Sequence, residues 1–347
     1  MDLDRLDQLL DRAVAADEFS GVVRITRGRE VLYETARGQA NRADGIPVAL
    51  DTRFAIASVT KLLTAVAAAR LVDKGKLRFD TPIDEVLPPG HRPRAAGPGI
   101  TVHHLLTHSS GLGDYFAEDD PDADYADLWR VTPSTVMRRA SDFVPLLADL
   151  PVRAEPGAAT TYNDAAYVFL GLVLEAASGL EFPELITREV LEPAGMSDTA
   201  FFALDGVHPR VAVGYLPPGD GRPNWSTNVY AVPAIGGPDG GIYATAGDLQ
   251  RFLAAVDRGG LLRPATRDLM FTVHTEEAEY DIQWGYGFML IEREGVPLAG
   301  SDGEDPGASA RAFRVRGTEL DVVVLSNINE AADPVWKLLL KLLPAAL

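Results

Sequence analysis

A serine and a lysine three positions apart stand at the head of an apolar run, AIASVTKLLTAV, at residues 55–66. On a helix, Ser58 and Lys61 share one face, and the ammonium group is costly to bury without a partner. A lysine whose pKa is lowered by burial or by a neighbouring cation can accept the proton of the serine hydroxyl. The dipole at a helix N-terminus stabilises the negative charge that then develops. The pair is either a nucleophile with its base or a serine beside a lysine on a solvated helix edge.

Lys61 is conspicuous because the chain has only five lysines among 32 basic residues. The formal net charge of the 347-residue chain is −18, which argues against nucleic acid or a membrane as partner, since both require basic surface. The absence of cysteine excludes disulfides and thiolate metal sites. The acidic start, MDLDRLDQLL, is unlike a signal peptide, and no apolar run reaches the roughly 20 residues that span a bilayer. We therefore expect a cytoplasmic protein.

The elements that must position the pair follow from hydrophobic periodicity. The spacing of leucines predicts a first helix of about 14 residues, and GVVRITRG and EVLYETARG predict a hairpin. A largely buried helix is expected from Ser58 to about Gly75. Strand patterns return in YGFMLIER, ARAFRV and LDVVVLSN, and PVWKLLLKLL predicts a closing helix. Strands at both ends with helices between them predict an α+β fold, with one sheet built from both chain ends and a helical region inserted into it.

Further segments follow the Ser58–Lys61 run in a recognisable order. They are FAIASVTKLLTAVAAARLVDKGKLRFDTPIDEVLP, ITVHHLLTHSSGLGDY, EPGAATTYNDAAYVFLGLVLEAASG, LEPAGMSDTAF, GGIYATAGDLQRFLAAV, WGYGF and VVVLSN. Together they resemble the penicillin-binding-protein-like serine hydrolases, the superfamily of class C β-lactamases, DD-peptidases and related esterases. The resemblance implies an antiparallel sheet flanked by helices, with an inserted all-helical subdomain and the active site between them. The expected division is 1–57 with 225–347 for the sheet domain and 58–224 for the helical subdomain.

The same resemblance assigns roles to three residues and implies acyl transfer through a serine ester. Ser58 matches the nucleophile of the family and Lys61 its partner. Tyr162, in TYNDAAY, matches the tyrosine of the Y-x-N motif, which moves the proton as phenol or phenolate.

The third motif of the family is Lys or His, any residue, then Gly, on an edge strand. In this chain AGSDGEDPG aligns with it as Ser301, Asp302 and Gly303. The resemblance implies an oxyanion hole made by the main-chain N–H groups of Ser58 and Glu304.

Asp164 stands where the Y-x-N motif has its asparagine. An ionised aspartate about 4 Å from an ammonium group adds an attraction on the order of 4 kcal/mol at an effective dielectric constant near 20. That attraction would hold Lys61 as an ammonium, and the role of base would pass to Tyr162. The alternative is that Asp164 is protonated or turned away and behaves like asparagine.

Ser301 stands where the family has a basic residue that helps to hold a substrate carboxylate. Serine carries no charge, and Asp302 would repel a carboxylate. The segment DYFAEDDPDADYAD, residues 114–127, holds seven acids and no base; it is either a solvated loop or an acidic rim that steers cationic substrates. The alternative to an electronegative site is a misalignment in which Arg311 or Arg314 supplies the cation.

These features predict a serine hydrolase that acts on small neutral or cationic esters, amides or peptide-like molecules, with weak β-lactamase and DD-peptidase activity. The alternatives are an acyltransferase that uses an amine or alcohol acceptor and a silenced homologue that binds a ligand without turnover. We expect no cofactor and no metal, because neither an H-E-x-x-H nor a phosphate-binding motif occurs, and the G-x-S-x-G nucleophile motif is also absent. The resemblance places His108 in a structural turn and GGPDGG, residues 236–241, in the wall of the active site.

Overall fold

An eight-stranded antiparallel sheet forms the centre of the molecule. The computed structural model describes residues 1–95, 98–116, 128–219 and 222–347. The strands are β1 (Gly21–Arg27), β2 (Glu30–Arg37), β3 (Gln39–Asn41), β4 (Ile46–Pro47), β5 (Phe54–Ala55), β6 (Tyr215–Leu216), β7 (Ser226–Thr227), β8 (Tyr243–Ala244), β9 (Thr275–Glu277), β10 (Ile282–Trp284), β11 (Met289–Arg293), β12 (Val296–Asp305), β13 (Ala308–Val315) and β14 (Leu320–Ser326). The central sheet has the order β2-β1-β14-β13-β12-β11-β10-β9.

Helices cover both faces of this sheet and fill the middle of the chain. They are α1 (Leu3–Ala15), α2 (Thr60–Asp73), α3 (Ile83–Val86), α4 (Val102–Leu106), α5 (Leu128–Val131), α6 (Val144–Leu147), α7 (Asp164–Ser178), α8 (Phe182–Ile186), α9 (Glu192–Ala194), α10 (Ala246–Asp257), α11 (Pro264–Met270) and α12 (Ala332–Leu342). Helices α1 and α12 pack together over one face of the sheet, and α10 contacts β1, β13 and β14 on the other.

Both chain ends build the sheet, as the strand patterns predict. Strand β1 pairs with β14 along its whole length, from Gly21 opposite Ser326 to Arg27 opposite Leu320. The predicted hairpin is the pair β1–β2, and the predicted closing helix is α12. The α+β fold with a large antiparallel sheet is therefore confirmed, whereas the division into residues 1–57 with 225–347 and 58–224 stays a prediction.

Two buried helices, α2 and α7, pack against each other beside the sheet. Their side chains are apolar on most faces, which is the pattern of a helix enclosed by protein. Asn163 caps the start of α7 by accepting the N–H of Ala166 (2.6 Å), and Gly179 ends the helix in the left-handed conformation. The helix expected from Ser58 begins as a 3₁₀ turn, Ala57–Val59, and continues as α2.

Strand β12 carries the predicted third motif and has two different halves. In its first half, Val296–Gly300 pairs with β11 and Leu298–Gly300 pairs also with β13, whereas Ser301–Asp305 pairs with β13 alone. The motif therefore lies on a local edge of an otherwise internal strand. That edge faces the 3₁₀ turn Ala57–Val59.

Within the described residues no single helix is long and apolar enough to cross a membrane. Helix α7 and the segment Phe182–Ala194 pass that test only as a pair, by length and composition, and a bend of 77° separates them.

Candidate active site

Ser58 occupies the middle of the 3₁₀ turn Ala57–Val59, where two hydrogen bonds meet at its hydroxyl oxygen. The ammonium group of Lys61 donates to Ser58 Oγ at 2.8 Å, and the Tyr162 hydroxyl donates to the same atom at 2.7 Å. The preceding residue, Ala57, has a φ of +46°, a left-handed conformation that costs a non-glycine residue about 1–3 kcal/mol. This strained turn places Ser58 between Lys61 and Tyr162, the two partners that the sequence predicts.

Lys61 is 2% exposed and is surrounded by partners. Besides Ser58, its Nζ contacts Asp164 Oδ1 at 2.5 Å and the main-chain oxygen of Asp239 at 2.6 Å, and it lies 4.9 Å from the centre of the Tyr162 ring. Asp164 is therefore turned towards Lys61, and the two groups are closer than the 4 Å expected from the sequence. A carboxylate in direct contact favours the ammonium form of a buried lysine.

Tyr162 is held by its ring and by its main chain. Its ring stacks on His108 with centres 4.8 Å apart, and its N–H donates to Glu277 Oε1 at 3.0 Å. His108 Nδ1 accepts the N–H of Asn163 at 3.0 Å, so the neutral ring carries its proton on Nε2. Burial lowers the pKa of His108 well below its usual range, and the positive charge of Lys61 acts in the same direction. His108 is thus a neutral packing surface for Tyr162.

Two further aspartates, to which the sequence assigns no individual role, lie beside the Lys61–Asp164 ion pair. Asp239, in the GGPDGG segment, is 6% exposed, and its carboxylate accepts the hydroxyl of Tyr115. Asp114 accepts the N–H groups of Asp164 (2.6 Å) and Ala165 (3.1 Å) at the start of α7, and that of Tyr115 (2.7 Å).

The pKa values of both additional aspartates are shifted upwards. Burial raises the pKa of Asp239 to about 6, and the negative charge of Asp164 adds to this, whereas Lys61 and the Tyr115 hydrogen bond act in the opposite direction. Burial and the charge of Asp164 also raise the pKa of Asp114 well above its usual range. Asp114 is the only acid of the predicted rim among the described residues. Six acids lie outside them: Glu118, Asp119, Asp120, Asp122, Asp124 and Asp127.

Gly303 lets strand β12 approach the 3₁₀ turn Ala57–Val59, which carries Ser58 and is called the nucleophile turn below. A Cβ on Gly303 would stand 2.5 Å from the main-chain oxygen of Ile56 and 2.8 Å from the nitrogen of Ser58. Ser301 shares this face of the strand, but it is 5% exposed and its hydroxyl donates to the main-chain oxygen of Asp302. It does not line the cavity beside Ser58, so the structure does not bring it to the position of a substrate-binding group.

The side chains of Asp302 and Glu304 point to the opposite face of the sheet, because successive residues of a strand alternate. Glu304 accepts hydrogen bonds from Arg311 and from Ser309, both at 2.7 Å, and Arg311 also binds Asp333 of α12. Asp302 thus lies opposite Arg311 on that face, and its effect on a substrate carboxylate stays a prediction. Glu304 also lies among the residues that line the cavity beside Ser58.

The two arginines that could have replaced the missing basic residue are engaged elsewhere. Arg311 is held by carboxylates on the α12 face of the sheet. Arg314 binds Asp321 and Asp257, each at 2.6 Å. Neither guanidinium group lines the cavity at Ser58.

A cavity of about 630 Å³ opens beside Ser58. One part of its wall is apolar and contains Phe202 and Leu216, and another part contains the carboxylates of Asp305 and Glu330. The volume suits a small molecule. Within the described parts of the chain, no group of three or more His, Asp or Glu side chains is arranged to hold a metal ion.

Comparison with known proteins places the chain in one family. The β-lactamase family model matches residues 6–343. Esterase EstB of Burkholderia gladioli is 32% identical over 335 residues, which cover 86% of this chain and 81% of that protein. Penicillin-binding protein 4* of Bacillus subtilis (strain 168) is 26% identical, with coverage of 94% and 72%.

The fold shows the same relationship. The crystal structure of a penicillin-binding protein from Bacillus halodurans superimposes with a TM-score of 0.87 and 37% sequence identity, over 96% of this chain and 99% of that one. Since both the family match and this superposition span nearly the whole chain, the resemblance predicted from the sequence is confirmed, and the chain belongs to the β-lactamase family of serine hydrolases.

Proposed function

We propose that this protein hydrolyses small esters and amides through an acyl-enzyme on Ser58. The observation that supports this most directly is the pair of hydrogen bonds at Ser58 Oγ, from Lys61 at 2.8 Å and from Tyr162 at 2.7 Å. A nucleophile whose hydroxyl lies within hydrogen-bond reach of two proton-transfer groups is the arrangement that covalent catalysis requires. Gly303 keeps β12 close enough for the main-chain N–H groups of Ser58 and Glu304 to act together on an oxyanion.

Tyr162 acts as the base in this proposal, and Lys61 acts as a fixed positive charge. The contact with Asp164 holds Lys61 as an ammonium, which stabilises a phenolate on Tyr162. The phenolate accepts the Ser58 proton as the bond from Oγ to the substrate carbonyl carbon forms. It returns that proton to the leaving group as the bond to the leaving group breaks. In the second step the phenolate accepts a proton from water as water attacks the acyl carbon, and it returns this proton to Ser58 Oγ as the acyl group leaves.

Neutral and cationic substrates fit the charges around the cavity. The described residues that line it include five acids and one arginine, Arg222. The acids are Asp164, Asp239, Glu304, Asp305 and Glu330. Lys61 pairs with Asp164 and Arg311 with Glu304. The similarity to a protein named an esterase supports ester substrates. We expect turnover of the β-lactam nitrocefin and of D-alanyl-D-alanine peptides to be weak, because no basic side chain stands at Ser301 to hold their carboxylate. Nitrocefin turnover similar to that of a dedicated β-lactamase would contradict this part of the proposal.

Substitution of Ser58 tests the proposal directly. Ser58→Ala is expected to abolish hydrolysis of p-nitrophenyl esters, covalent labelling by a fluorophosphonate, and the acyl adduct seen by intact-mass spectrometry. Ser301→Ala serves as the matched control, since Ser301 is buried outside the cavity wall, and it is expected to keep the label. Labelling that persists in Ser58→Ala means that the nucleophile is another residue.

The same assay separates the alternatives. An acyltransferase would yield mainly the acylated amine or alcohol when such acceptors are added, whereas a hydrolase yields the free acid. A silenced homologue would form no adduct on Ser58 at all. The hydrogen bonds from Lys61 and Tyr162 to Ser58 favour an active site over a silenced one.

A further inference from the structure

The GGPDGG segment joins the two buried helices of the site through its main chain. The hydroxyl of Thr64 on α2 donates to the carbonyl of Pro238 at 2.6 Å, and Lys61 donates to the carbonyl of Asp239 at 2.6 Å. The ring of Pro238 packs on Gly171 of α7, where a Cβ would stand 2.1 Å from it. The position of Asp239 relative to Lys61 is therefore fixed from three sides.

The carboxyl group of Asp239 makes a second connection, in addition to that of its main-chain carbonyl. It accepts the hydroxyl of Tyr115, and the main chain of Tyr115 is bound through Asp114 to the start of α7. Tyr115 and Asp239 both line the cavity beside Ser58. The Asp239 side chain thus connects the cavity wall to the ion pair behind the nucleophile.

Among the described residues, charged and titratable groups face Asp239 from several elements. Lys61 lies on α2, Asp164 on α7, and Tyr115 in the segment that follows α4. Asp114, beside Tyr115, acts on Asp164. Asp305 of β12 also approaches, since its Oδ2 lies 3.6 Å from the point where a Cβ on Gly240 would stand. A single ammonium thus shares this buried region with several carboxyl groups. Burial and Asp164 raise the pKa of Asp239 to about 6, which brings its ionisation into the range where enzymes are assayed.

We propose that Asp239 is a positioning residue of the serine site: its carbonyl holds the Lys61 ammonium against Ser58, and its carboxylate strengthens the hold of Lys61 and Tyr162 on their protons. The inference rests on the proposed function. A negative charge beside a proton acceptor raises the proton affinity of that acceptor. Ionised Asp239 therefore shifts the rise of activity with pH towards higher pH, whereas protonated Asp239 does not.

The ratio of two pH profiles measures this effect. We compare kcat/KM of Asp239→Asn with that of the wild type on p-nitrophenyl butanoate from pH 4.5 to 8. Asparagine keeps the carbonyl that binds Lys61 and an acceptor for the Tyr115 hydroxyl. The ratio of variant to wild type is expected to be constant below pH 5 and to rise about fivefold across pH 6, because only the wild type acquires the additional charge there. A ratio that stays constant over the whole range overturns the charge role, even if the variant is slow.

Two further variants assign the effect to Asp239. Tyr115→Phe removes a hydrogen bond that lowers the pKa of Asp239. We therefore compare kcat/KM of the double variant Tyr115→Phe, Asp239→Asn with that of Tyr115→Phe alone. The rise in this ratio is expected at a higher pH than in the first comparison. Asp305→Asn removes the neighbouring carboxylate of the cavity wall, and its ratio to the wild type is expected to show no step at pH 6. A step of equal size in Asp305→Asn would attribute the effect to the total charge of the cavity and overturn the assignment to Asp239.

Thermal stability tests the same charge without any catalysis. The pKa of Asp239 is raised in the folded protein from an ordinary value of 3.8 to about 6, so the folded state binds the proton more tightly than the unfolded state. The wild type therefore loses stability as pH rises from about 4 to about 6, and Asp239→Asn lacks this loss. The Tm of the variant minus that of the wild type is expected to increase by a few degrees between pH 4 and pH 7. If this increase is observed but neither the wild type nor any variant hydrolyses an ester, the proposed function fails while the ionisation of Asp239 is supported. If the difference in Tm does not change with pH, Asp239 does not ionise in this range and the inference is wrong.

Discussion

The two sides of Ser58 are built on different principles. On the helical side, Lys61 and Asp164 form an ion pair at 2.5 Å, and Tyr162 reaches Ser58 with a side-chain hydroxyl. On the strand side, Gly303 brings the main chain of β12 against the nucleophile turn without any side chain. The helical side carries buried charges that can move protons. The strand side meets the turn at Ser58 through main-chain groups and close packing.

This difference separates two requirements of acyl transfer. Proton transfer needs groups whose charge can change, so it depends on side-chain chemistry and on the carboxylates that surround it. Stabilisation of an oxyanion needs fixed dipoles, so it depends on how closely two main-chain segments approach each other. Substitutions on the helical side should therefore change the pH dependence of the reaction, and those on the strand side should lower the rate at every pH.

The largest effect is expected from Tyr162→Phe. This change removes the hydroxyl at 2.7 Å from Ser58 Oγ and keeps the ring that stacks on His108. Loss of a general base costs typically 10²–10⁴ in rate, so we expect kcat/KM for p-nitrophenyl esters to fall about 10³-fold. Tyr167→Phe is the matched control, since Tyr167 stacks on the same histidine at 5.0 Å and donates only to the main-chain oxygen of Leu106. Equal losses in the two variants would mean that Tyr162 acts through packing and not through its hydroxyl.

Gly303→Ala tests the strand side and is expected to lower kcat about 10²-fold at every pH. The new Cβ would stand within 3.0 Å of three main-chain atoms, two in the nucleophile turn (Ser58 and Val59) and one in the residue before it (Ile56). Main-chain atoms cannot turn aside as a side chain can, so the strand and the turn must separate, and a misplacement of 1 Å can cost about 10²-fold in rate. Gly90→Ala is the control, because nothing lies within 4 Å of its Cβ position. A variant that keeps full activity would show that the approach of β12 to Ser58 has no catalytic role.

The sequence predicts the helical side in part because its motifs are local. Ser58 and Lys61 are three positions apart, and one turn of backbone is enough to bring them together. Asp239 lies 178 positions from Lys61 and 124 from Tyr115. Its place depends on how the GGPDGG segment packs on α2 and α7, which no periodicity encodes. The signal that could have indicated it is a single acid in a glycine-rich segment that the resemblance already assigns to the wall of the site.

On the strand side, the sequence predicts the sheet but not the direction of the side chains on β12. The sheet itself follows from strand patterns at both chain ends, but VPLAGSDGED is poor in β-branched residues, and its conformation comes from pairing with β13. The direction of each side chain then depends on register, since a shift by one residue exchanges the two faces. Register places Asp302 and Glu304 on the side of Arg311 and α12, and the sequence alone could not show this.

Asp164→Asn gives the smallest change and compares the two sides most sharply, because it removes one charge and little else. Asparagine accepts a hydrogen bond from Lys61 without holding it as an ammonium, so the proton affinity of the Lys61–Tyr162 pair falls. We expect the rise of kcat/KM with pH to move about one unit towards lower pH, with less than tenfold change on the alkaline plateau. In Gly303→Ala the midpoint should stay where it is in the wild type.

A second buried carboxylate separates this effect from a general loss of stability. Glu189 binds Lys74 at 2.6 Å and Arg70 at 3.1 Å, away from Ser58. Glu189→Gln is therefore expected to lower Tm without moving the pH profile, whereas Asp164→Asn moves the profile. If the midpoint of the pH profile does not move in Asp164→Asn, then Asp164 is already neutral in the wild type and Lys61 can act as the base. The assignment of Tyr162 as the base and of Lys61 as a fixed charge would then be wrong. If the midpoint moves, the ion pair at 2.5 Å is what transfers the role of base from Lys61 to Tyr162.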